Sequence, residues 1–271
     1  MATYLITGVS RGIGFEFLRQ LSSDSANKVI GLVRNKESTD KKIAAELGQR
    51  DNVYIFQADM TDYNSLKASV DEVARITGGS LDFIIANAAL MSTWSVWPAI
   101  GDLGNEPEVL EKDILDMFRT NVVGNIHLFN LFMPLVLKGK VKKVLAISSG
   151  LADIESTAKY DLDGNAPYAI SKAAMNAAVA KFSAQYKKDG VLFLSVCPGV
   201  VNTGQYDNMT PEEQGYAGAL MAKFQAYAPD FAGPVSTEFA VKDVLSVLDK
   251  ASITSGDAGA YVSHYGNKQW L

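Results

Sequence analysis

Short apolar runs rich in β-branched residues recur along the chain, and each is followed by a helical pattern or a turn-rich stretch. Apolar runs of this length are typical of strands buried on both faces of a parallel sheet. Strands that alternate with helices predict a doubly wound α/β fold, with helices on both faces of the sheet. We expect about seven strands, six of them the runs TYLIT, KVIGLV, NVYIFQ, LDFIIA, KVLAIS and VLFLSV.

The chain has 271 residues and shows neither an internal repeat nor a low-complexity linker. α/β folds of this length often form one domain, so we predict a single domain over residues 1–271. One connection, residues 204–233, is unusually long and precedes the helix predicted for STEFAVKDVLSVLDK. Connections of this length are usually functional or mobile, and we interpret this one as a substrate loop or lid.

A short helix is predicted inside that connection. Thr210 suits the N-cap, Pro211 the first helical position, and Glu213 completes a capping box. Four large side chains then fall on one helical face and either pack on the core or cover a substrate; they are Tyr216, Leu220, Phe224 and Tyr227.

Composition narrows the class of protein. Apolar residues make up 48% of the chain and charged residues 20%, which supports a packed core. The net charge of -5 disfavours a nucleic-acid partner, because such binders concentrate Lys and Arg on one face. Cys197 is the single cysteine and cannot form an internal disulfide, and MATYLITGVSR lacks the features of a secretory signal. We therefore expect a cytoplasmic location.

The most apolar run, NIHLFNLFMPLVLKGK, is interrupted by His127, Asn130 and Pro134. It is shorter than the roughly 20 apolar residues that a membrane span needs. We predict a buried helix there and no membrane partner.

A glycine-rich turn follows the first predicted strand and opens a helix. Gly8, Gly12 and Gly14 would give a tight turn, close approach of main-chain N–H groups to a pyrophosphate, and a helix N-terminus aimed at its charge. The spacing G-x-x-x-G-x-G differs from the common G-x-G-x-x-G pattern, so the strand–turn–helix context carries the interpretation. A dinucleotide site is predicted here, against a merely structural turn.

The residue at the end of the second predicted strand indicates which dinucleotide the site binds. An acidic residue at this point would bind a ribose hydroxyl of NAD, but the strand GLVRN ends with Arg34. Arg11, in the glycine turn, brings a second guanidinium. Two cations favour the 2'-phosphate of NADP(H), unless both are simply solvated surface arginines.

The motifs TGVSRGIG, ANAA, NVVGN, ISSG, YAISK and PGVVNT occur in this order between residues 7 and 203. In this combination the chain resembles the short-chain dehydrogenase/reductase family, and its glycine motif and ISSG are most similar to the carbonyl-reductase-like branch that includes fungal ketoreductases. The resemblance covers essentially the whole chain. It implies a Rossmann-type domain that binds a nicotinamide cofactor.

The resemblance also implies site residues. Asn121 matches an asparagine that holds a proton-relay water, Ser149 a residue that hydrogen-bonds the substrate carbonyl, and Tyr168 the general acid/base. Lys172 matches the partner of that tyrosine. The implied cofactor contacts are Gly8, Ser10, Arg11, Gly12, Ile13, Gly14, Arg34, Asp59, Met60, Asn87, Tyr168, Lys172, Pro198, Val201 and Thr203.

The chain departs from the family pattern at two places. The usual N-N-A-G reads ANAA, which removes an amide and a glycine near the cofactor ribose. Ser149 and Tyr168 stand farther apart than is usual, so residues within IESTAKYDLDGN should bulge as a loop beside the site. That stretch contains Tyr160, but Gly164 takes the place of the lysine that a catalytic tyrosine would need, and Tyr168 remains the prediction.

Residues four apart lie on one helical face, so Tyr168 and Lys172 can converge. Asn165 is the expected N-cap of their helix and Pro167 fits its first turn. A tyrosine pKa is ordinarily about 10. Both the helix dipole and the Lys172 ammonium favour the phenolate and would lower that pKa.

Apolar and aromatic residues near the strand ends predict a pocket for a bulky or aromatic ketone; the alternative is that they pack in the core or a subunit interface. The candidates are Met91, Trp94, Trp97, Leu151, Tyr206 and Met209. His127 and His264 lack partners at metal-ligand spacing, so no metal is expected.

Taken together, we expect an NADP(H)-dependent reductase of a ketone or aldehyde. Two alternatives stay open: an enzyme of this fold recruited for a non-redox step such as dehydration or isomerisation, and a cofactor-sensing binding protein without turnover. Similar proteins associate through the helices of DMFRTNVVGNIHLFNLF and YAISKAAMNAAVAKFSAQY, which implies a homodimer or homotetramer.

Overall fold

The computed structural model describes residues 1–204 and 207–271. Within these ranges, seven parallel strands form one sheet in the order β3-β2-β1-β4-β5-β6-β9. Its strands are β1 (Thr3–Thr7), β2 (Lys28–Val33), β3 (Val53–Gln57), β4 (Phe83–Ala86), β5 (Lys143–Ile147), β6 (Leu192–Cys197) and β9 (Tyr261–Ser263). The short strands β7 (Val201–Asn202) and β8 (Val235–Ser236) pair separately. The predicted doubly wound parallel fold is confirmed.

Helices cover both faces of the sheet. They are α1 (Gly12–Leu21), α2 (Lys36–Leu47), α3 (Tyr63–Thr77), α4 (Ile100–Leu103), α5 (Pro107–Phe118), α6 (Gly124–Val136), α7 (Ile154–Lys159), α8 (Ala166–Tyr186), α9 (Pro211–Tyr227) and α10 (Thr237–Lys250). On one face α3, α6 and α8 pack around Phe129 and Phe132, and on the other α1, α2 and α10 pack around Phe17 and Val244. These two apolar layers hold the sheet rigid and fix the ends of its strands.

The strand order reverses next to β1, which lies between β2 and β4. Ligands of open α/β sheets bind in the crevice at the carboxyl ends of the strands where the order reverses. The glycine turn follows β1, and Asn87 follows β4. Both predicted cofactor segments therefore lie at that crevice.

The apolar run predicted as a buried helix is α6, whose Leu128, Phe129 and Phe132 have no exposed surface. Between α5 and α6 the chain forms one π-helical turn, Arg119–Val123. In the described part of the chain, no helix combines the length and apolarity that crossing a bilayer requires.

The long connection contains α9, and its predicted capping box is confirmed. Thr210 Oγ1 accepts from the N–H of Glu213, whose carboxylate accepts in turn from the N–H of Thr210. The stretch that follows Ser149 was expected to be a loop, but it contains the short helix α7. Asp153 caps that helix by accepting from Ser156 N at 2.8 Å.

Candidate active site

The glycine turn is shaped by contacts within the protein. Gly8 and Gly12 have φ of +75° and +57°, a region that disfavours side chains. A Cβ on Gly14 would lie 2.2 Å from Gly8 O and 2.4 Å from Asn87 Nδ2. Asn87 Nδ2 donates to Thr7 O at 3.0 Å and thereby ties the turn to the end of β4. The collision that excludes a side chain at Gly14 is thus with other atoms of the protein.

The N-terminus of α1 opens directly from this turn, and the first turn of α1 contains no acidic residue. Its main-chain N–H groups therefore offer a site for an anion. Ile13 and Thr203 both line the cavity described below, and a Cβ on Gly12 would lie 3.4 Å from the Thr203 methyl group. These features fit the pyrophosphate of a dinucleotide.

Cationic side chains gather at the ends of β2 and β3. Arg34 is exposed directly after β2, and Arg11 is exposed in the glycine turn. Burial raises the pKa of Asp59, but hydrogen bonds from Thr61 and the charges of Arg34 and Arg119 outweigh it and hold this pKa below its usual value. The arginines and the ionised Asp59 fit the two ends of an adenosine 2'-phosphate. Arg119 was not identified from the sequence.

Two further predicted cofactor contacts have different surroundings. The side chain of Met60 is 7% exposed and belongs to the core, so only its main chain can face a cofactor. Ser10 is exposed at the mouth of the glycine turn.

The paired residues of α8 are placed as predicted. Lys172 Nζ lies 5.6 Å from the centroid of the Tyr168 ring. The ammonium is buried and donates to the carbonyl oxygen of Ile147 at 2.7 Å. Burial lowers the pKa of Lys172 to about 8. Lys172 therefore stays predominantly protonated at neutral pH.

Asn121 is connected to α8 through hydrogen bonds. Its amide accepts from Leu90 N at 2.7 Å and donates to Leu90 O and to Ser171 Oγ, each at 2.9 Å. Ser171 Oγ donates in turn to Tyr168 O at 2.7 Å. The Asn121 side chain thus joins the π-helical turn to α8, and its role toward a relay water remains a prediction.

The two serines of ISSG have different roles. Ser148 is 3% exposed and donates to Asn176 Oδ1 at 2.8 Å. Ser149 Oγ accepts from Leu151 N at 3.3 Å, and its hydroxyl proton is a separate donor. Ser149 is therefore the serine with a proton to offer a substrate.

Cys197 connects two turns of the site. Its Sγ accepts from Gly150 N at 3.0 Å and from Gly199 N at 3.4 Å. Burial raises the pKa of Cys197 to about 11, against the effect of those two hydrogen bonds and of Lys172. A thiol with this pKa is a structural acceptor and a poor nucleophile at neutral pH.

An inner cavity of about 200 Å³ lies against Tyr168 and Ser149. Its wall is mostly apolar. The residues that line it include Ile13, Met91, Leu151, Ser156, Tyr160, Leu162, Asn165, Pro198, Val201, Thr203, Leu220, Phe224, Tyr227, Trp270 and Leu271. Three of the four side chains predicted to form a stripe on α9 thus face this cavity.

An outer cavity of about 540 Å³ adjoins it. The shared wall consists of Leu151, Leu162, Asn165 and Leu220. Trp94 and Trp97, which were predicted to form the substrate pocket, line this outer cavity and do not reach the inner one. Its remaining wall includes Val96, Pro98, Ala99, Asp102, Leu103, Asn105, Glu106, Asp163, Gly164, Tyr216, Ala219 and Lys223.

Helix α9 is fastened over both cavities at several points. Lys223 Nζ forms a 2.5 Å ion pair with Asp163 and donates to the carbonyl of Asp161 at 2.5 Å. The Tyr160 and Tyr227 rings meet edge to face with centroids 4.9 Å apart. The stretch before Tyr168 that is longer than the family pattern therefore supports α9.

Three predictions from the sequence need correction or fall outside the described residues. Asn165 stands at the N-cap of α8, but it has φ of +56° and its side chain makes no capping hydrogen bond. The left-handed backbone turns its side chain away from the first N–H groups of the helix. Met209 lines neither cavity, and its carbonyl accepts from Gln214 Nε2 at 3.2 Å. Tyr206 lies outside the described residues.

Residues near the end of the chain complete the inner cavity, and the sequence analysis missed them. Trp270 is 4% exposed and stacks on Tyr261 with ring centroids 4.4 Å apart. Tyr261 Oη donates to Ser149 O, which fixes the main chain of that serine. Strand β9 carries Tyr261 and has only three residues, too few for a clear apolar pattern; the aromatic residues around it were the available signal.

The chain is similar to short-chain dehydrogenases and reductases. Residues 2–214 match the family described as short chain dehydrogenase. Similar proteins are the short chain dehydrogenase virK of Hypocrea virens, 56% identical over 271 residues, and the short-chain dehydrogenase/reductase iacC of Pestalotiopsis fici, 51% identical over 273 residues; each comparison covers 100% of both chains. The NADPH-bound carbonyl reductase from chicken fatty liver shares the fold, with a TM-score of 0.76 and 23% identity over 98% of each chain.

Proposed function

The chain belongs to the short-chain dehydrogenase family of oxidoreductases, and from this premise we propose that it is an NADPH-dependent reductase. Its substrate is a bulky, apolar or aromatic ketone or aldehyde, which it converts to an alcohol. One observation carries the proposal: Tyr168 and Ser149 line the same apolar cavity, and the buried ammonium of Lys172 lies beside the Tyr168 ring.

The cofactor would be held by the glycine turn, the N-terminus of α1, and the segment from Pro198 to Thr203. Arg34 and Arg11 would bind a 2'-phosphate through charge-assisted hydrogen bonds, which supports NADPH over NADH. When bound, NADPH supplies the hydride.

Tyr168 would donate its phenolic proton to the carbonyl oxygen of the substrate as negative charge develops there. Ser149 would donate a hydrogen bond to the same oxygen and hold it in place. Lys172 carries a positive charge at neutral pH, which favours the phenolate and makes the proton of Tyr168 easier to release. The acid is thus tuned by a neighbour that is itself buried and fixed by Ile147.

The cavity wall supports an apolar substrate. Met91, Leu151 and Phe224 surround the inner cavity, and Trp270 closes one side of it. A small polar sugar would lose more hydrogen bonds to water there than the few polar side chains of the wall could replace, whereas an aromatic ring would gain contact area.

The test is the rate of NADPH oxidation by the purified protein with a panel of aromatic ketones, measured for the wild type and for Tyr168→Phe. We expect turnover that is lost in Tyr168→Phe while NADPH binding, followed by its fluorescence, is retained. Turnover that survives in Tyr168→Phe would refute the role of Tyr168. Binding of NADPH without reduction of any ketone would favour a non-redox enzyme or a cofactor-sensing protein.

We also propose that the chain forms a homo-oligomer. Leu115, Val123 and Ile170 lie on α5, on the π-helical turn and on α8, and their exposed fractions are 58%, 42% and 43%. Light scattering after size exclusion should give a dimer or tetramer for the wild type and a smaller species for Leu115→Glu. A monomeric wild type would contradict the proposal.

A further inference from the structure

We propose that the outer cavity is a second substrate subsite, which binds a hydroxylated aromatic group of the same molecule whose carbonyl lies at Tyr168. This inference rests on the proposed reductase function and adds a substrate class to it. The substrate is an aryl ketone with two parts, an apolar ring beside Ser149 and a ring with hydroxyl groups beside Trp94 and Trp97.

The sizes of the cavities support a substrate in two parts. An apolar cavity of about 150 Å³ holds one benzene molecule in a well-studied engineered protein. The inner cavity is only slightly larger and shares Ile13, Pro198 and Thr203 with the proposed cofactor site, so it has room for at most one ring of the substrate. The outer cavity is more than twice as large, at about 540 Å³ against about 200 Å³. Together they fall within the range of sites that bury a drug-sized ligand.

The outer wall combines aromatic faces with hydrogen-bond acceptors. Trp94 and Trp97 offer indole faces on which a second ring can stack. Asp102 and Glu106 contribute carboxylates, which accept hydrogen bonds and repel anions. The charge of Lys223 is already engaged by Asp163. This wall suits phenolic hydroxyl donors and disfavours a carboxylate or phosphate group.

Asn165 supplies an independent observation at the junction of the two cavities. It lines both of them, it is 6% exposed, and its Oδ1 has no hydrogen-bond partner among residues 1–204 and 207–271. Its main chain is fixed, because its N–H donates to Val96 O at 3.0 Å and its carbonyl accepts from Ala169 N at 2.9 Å. A buried amide oxygen without a partner is unfavourable, and rotation of the Asn165 amide toward the junction would let a substrate hydroxyl pair with it. Asn165 is thus a specificity-determining residue in this proposal.

The first experiment fills the outer cavity from α9. Ala219 is exposed and lines only the outer cavity, whereas Ala222 on the same helix is exposed and lines neither. The probes are acetophenone, benzophenone and 3,4-dihydroxybenzophenone, which has both hydroxyl groups on one ring, with steady-state kinetics and with calorimetric binding to the NADP-loaded protein. Ala219→Trp should weaken binding of dihydroxybenzophenone by at least about tenfold. Acetophenone should be unaffected, and Ala222→Trp should resemble the wild type with all three probes.

Equal effects of Ala219→Trp and Ala222→Trp would overturn the proposal. So would a wild type that binds dihydroxybenzophenone no better than benzophenone. If the proposed reductase function is wrong, no ketone is reduced, which is a different result. Calorimetry then still measures whether the protein prefers the dihydroxy compound, and this preference shows whether the outer cavity is a subsite.

The second experiment removes the amide. Glycine tolerates the positive φ at this position, so Asn165→Gly keeps the backbone conformation. We expect the preference for dihydroxybenzophenone over benzophenone, measured as the ratio of their KM values, to fall by about tenfold. A loss of kcat with all three ketones that leaves this preference unchanged would show a structural role for Asn165 and refute the proposed one.

Discussion

Lys172 Nζ donates a 2.7 Å hydrogen bond to the carbonyl oxygen of Ile147, the last residue of β5. Ser148 and Ser149 follow Ile147 directly, and Tyr168 lies one helical turn before Lys172. This single bond therefore sets α8 against the strand that carries the serine. The ammonium that lies beside the Tyr168 ring thus also fixes the position of α8 relative to Ser149.

The buried ammonium should make stability depend on pH. Its pKa is about 8 in the folded protein against 10.5 ordinarily, so the unfolded chain binds more protons between these values. The free energy of unfolding of the wild type should therefore rise relative to Lys172→Met across this window, by up to about 3 kcal/mol. Denaturant unfolding of both proteins at pH about 8 and about 10 measures the difference. A constant difference would show that Lys172 titrates normally.

Gly14→Ala should disrupt the glycine turn, because the Cβ of the new side chain would lie 2.2 Å from the main-chain oxygen of Gly8. We expect a loss of at least about 2 kcal/mol in the free energy of unfolding, with weaker NADPH binding. Gly218→Ala is the matched control, since a Cβ in that exposed turn of α9 meets no atom within 4 Å. The control should be neutral or stabilised by about 0.5 to 1 kcal/mol. If thermal unfolding showed Gly14→Ala to be as stable as Gly218→Ala, the predicted collision at Gly14 would be refuted.

Arg34→Asp should change cofactor preference. Loss of a charge-assisted bond to the 2'-phosphate should raise the dissociation constant of NADPH about tenfold to hundredfold. That of NADH should change little, because it lacks this phosphate. Lys188→Asp makes the same charge change at an exposed position after α8 and controls for net charge. Fluorescence titration decides the matter, and parallel losses for both cofactors would argue against a phosphate site at Arg34.

Tyr261→Phe should act through Ser149. The Tyr261 hydroxyl donates to Ser149 O, and the Tyr261 ring stacks on Trp270. The substitution removes only the hydroxyl, which frees the main chain of Ser149 while the ring stays packed. We expect kcat to fall by about threefold to tenfold with little change in KM, together with a loss of about 1 kcal/mol in stability. Tyr265→Phe, at a residue 58% exposed, should have no effect. Unchanged kcat in Tyr261→Phe would leave the tyrosine a purely structural residue.

Sequence patterns located the elements whose signals are local. The first two apolar runs match β1 and β2 residue for residue, because a strand buried on both faces admits few polar residues. The capping box of α9 was readable because it spans only Thr210 to Glu213. Tyr168 and Lys172 were readable because one helical turn brings them together whatever surrounds the helix.

The sequence by itself determined the doubly wound sheet, the glycine turn at the end of β1, and the pairing of Tyr168 with Lys172, since periodicity and short-range geometry specify all three. Only the tertiary structure decided that Trp270 closes the inner cavity and that Trp94 and Trp97 line a separate outer one. It also decided that Asn165 lies between the two, with an oxygen that has no partner in the described part of the chain. Those residues come from segments far apart in the chain. Their proximity depends on how the helices and loops pack at the carboxyl edge of the sheet, which no local pattern encodes.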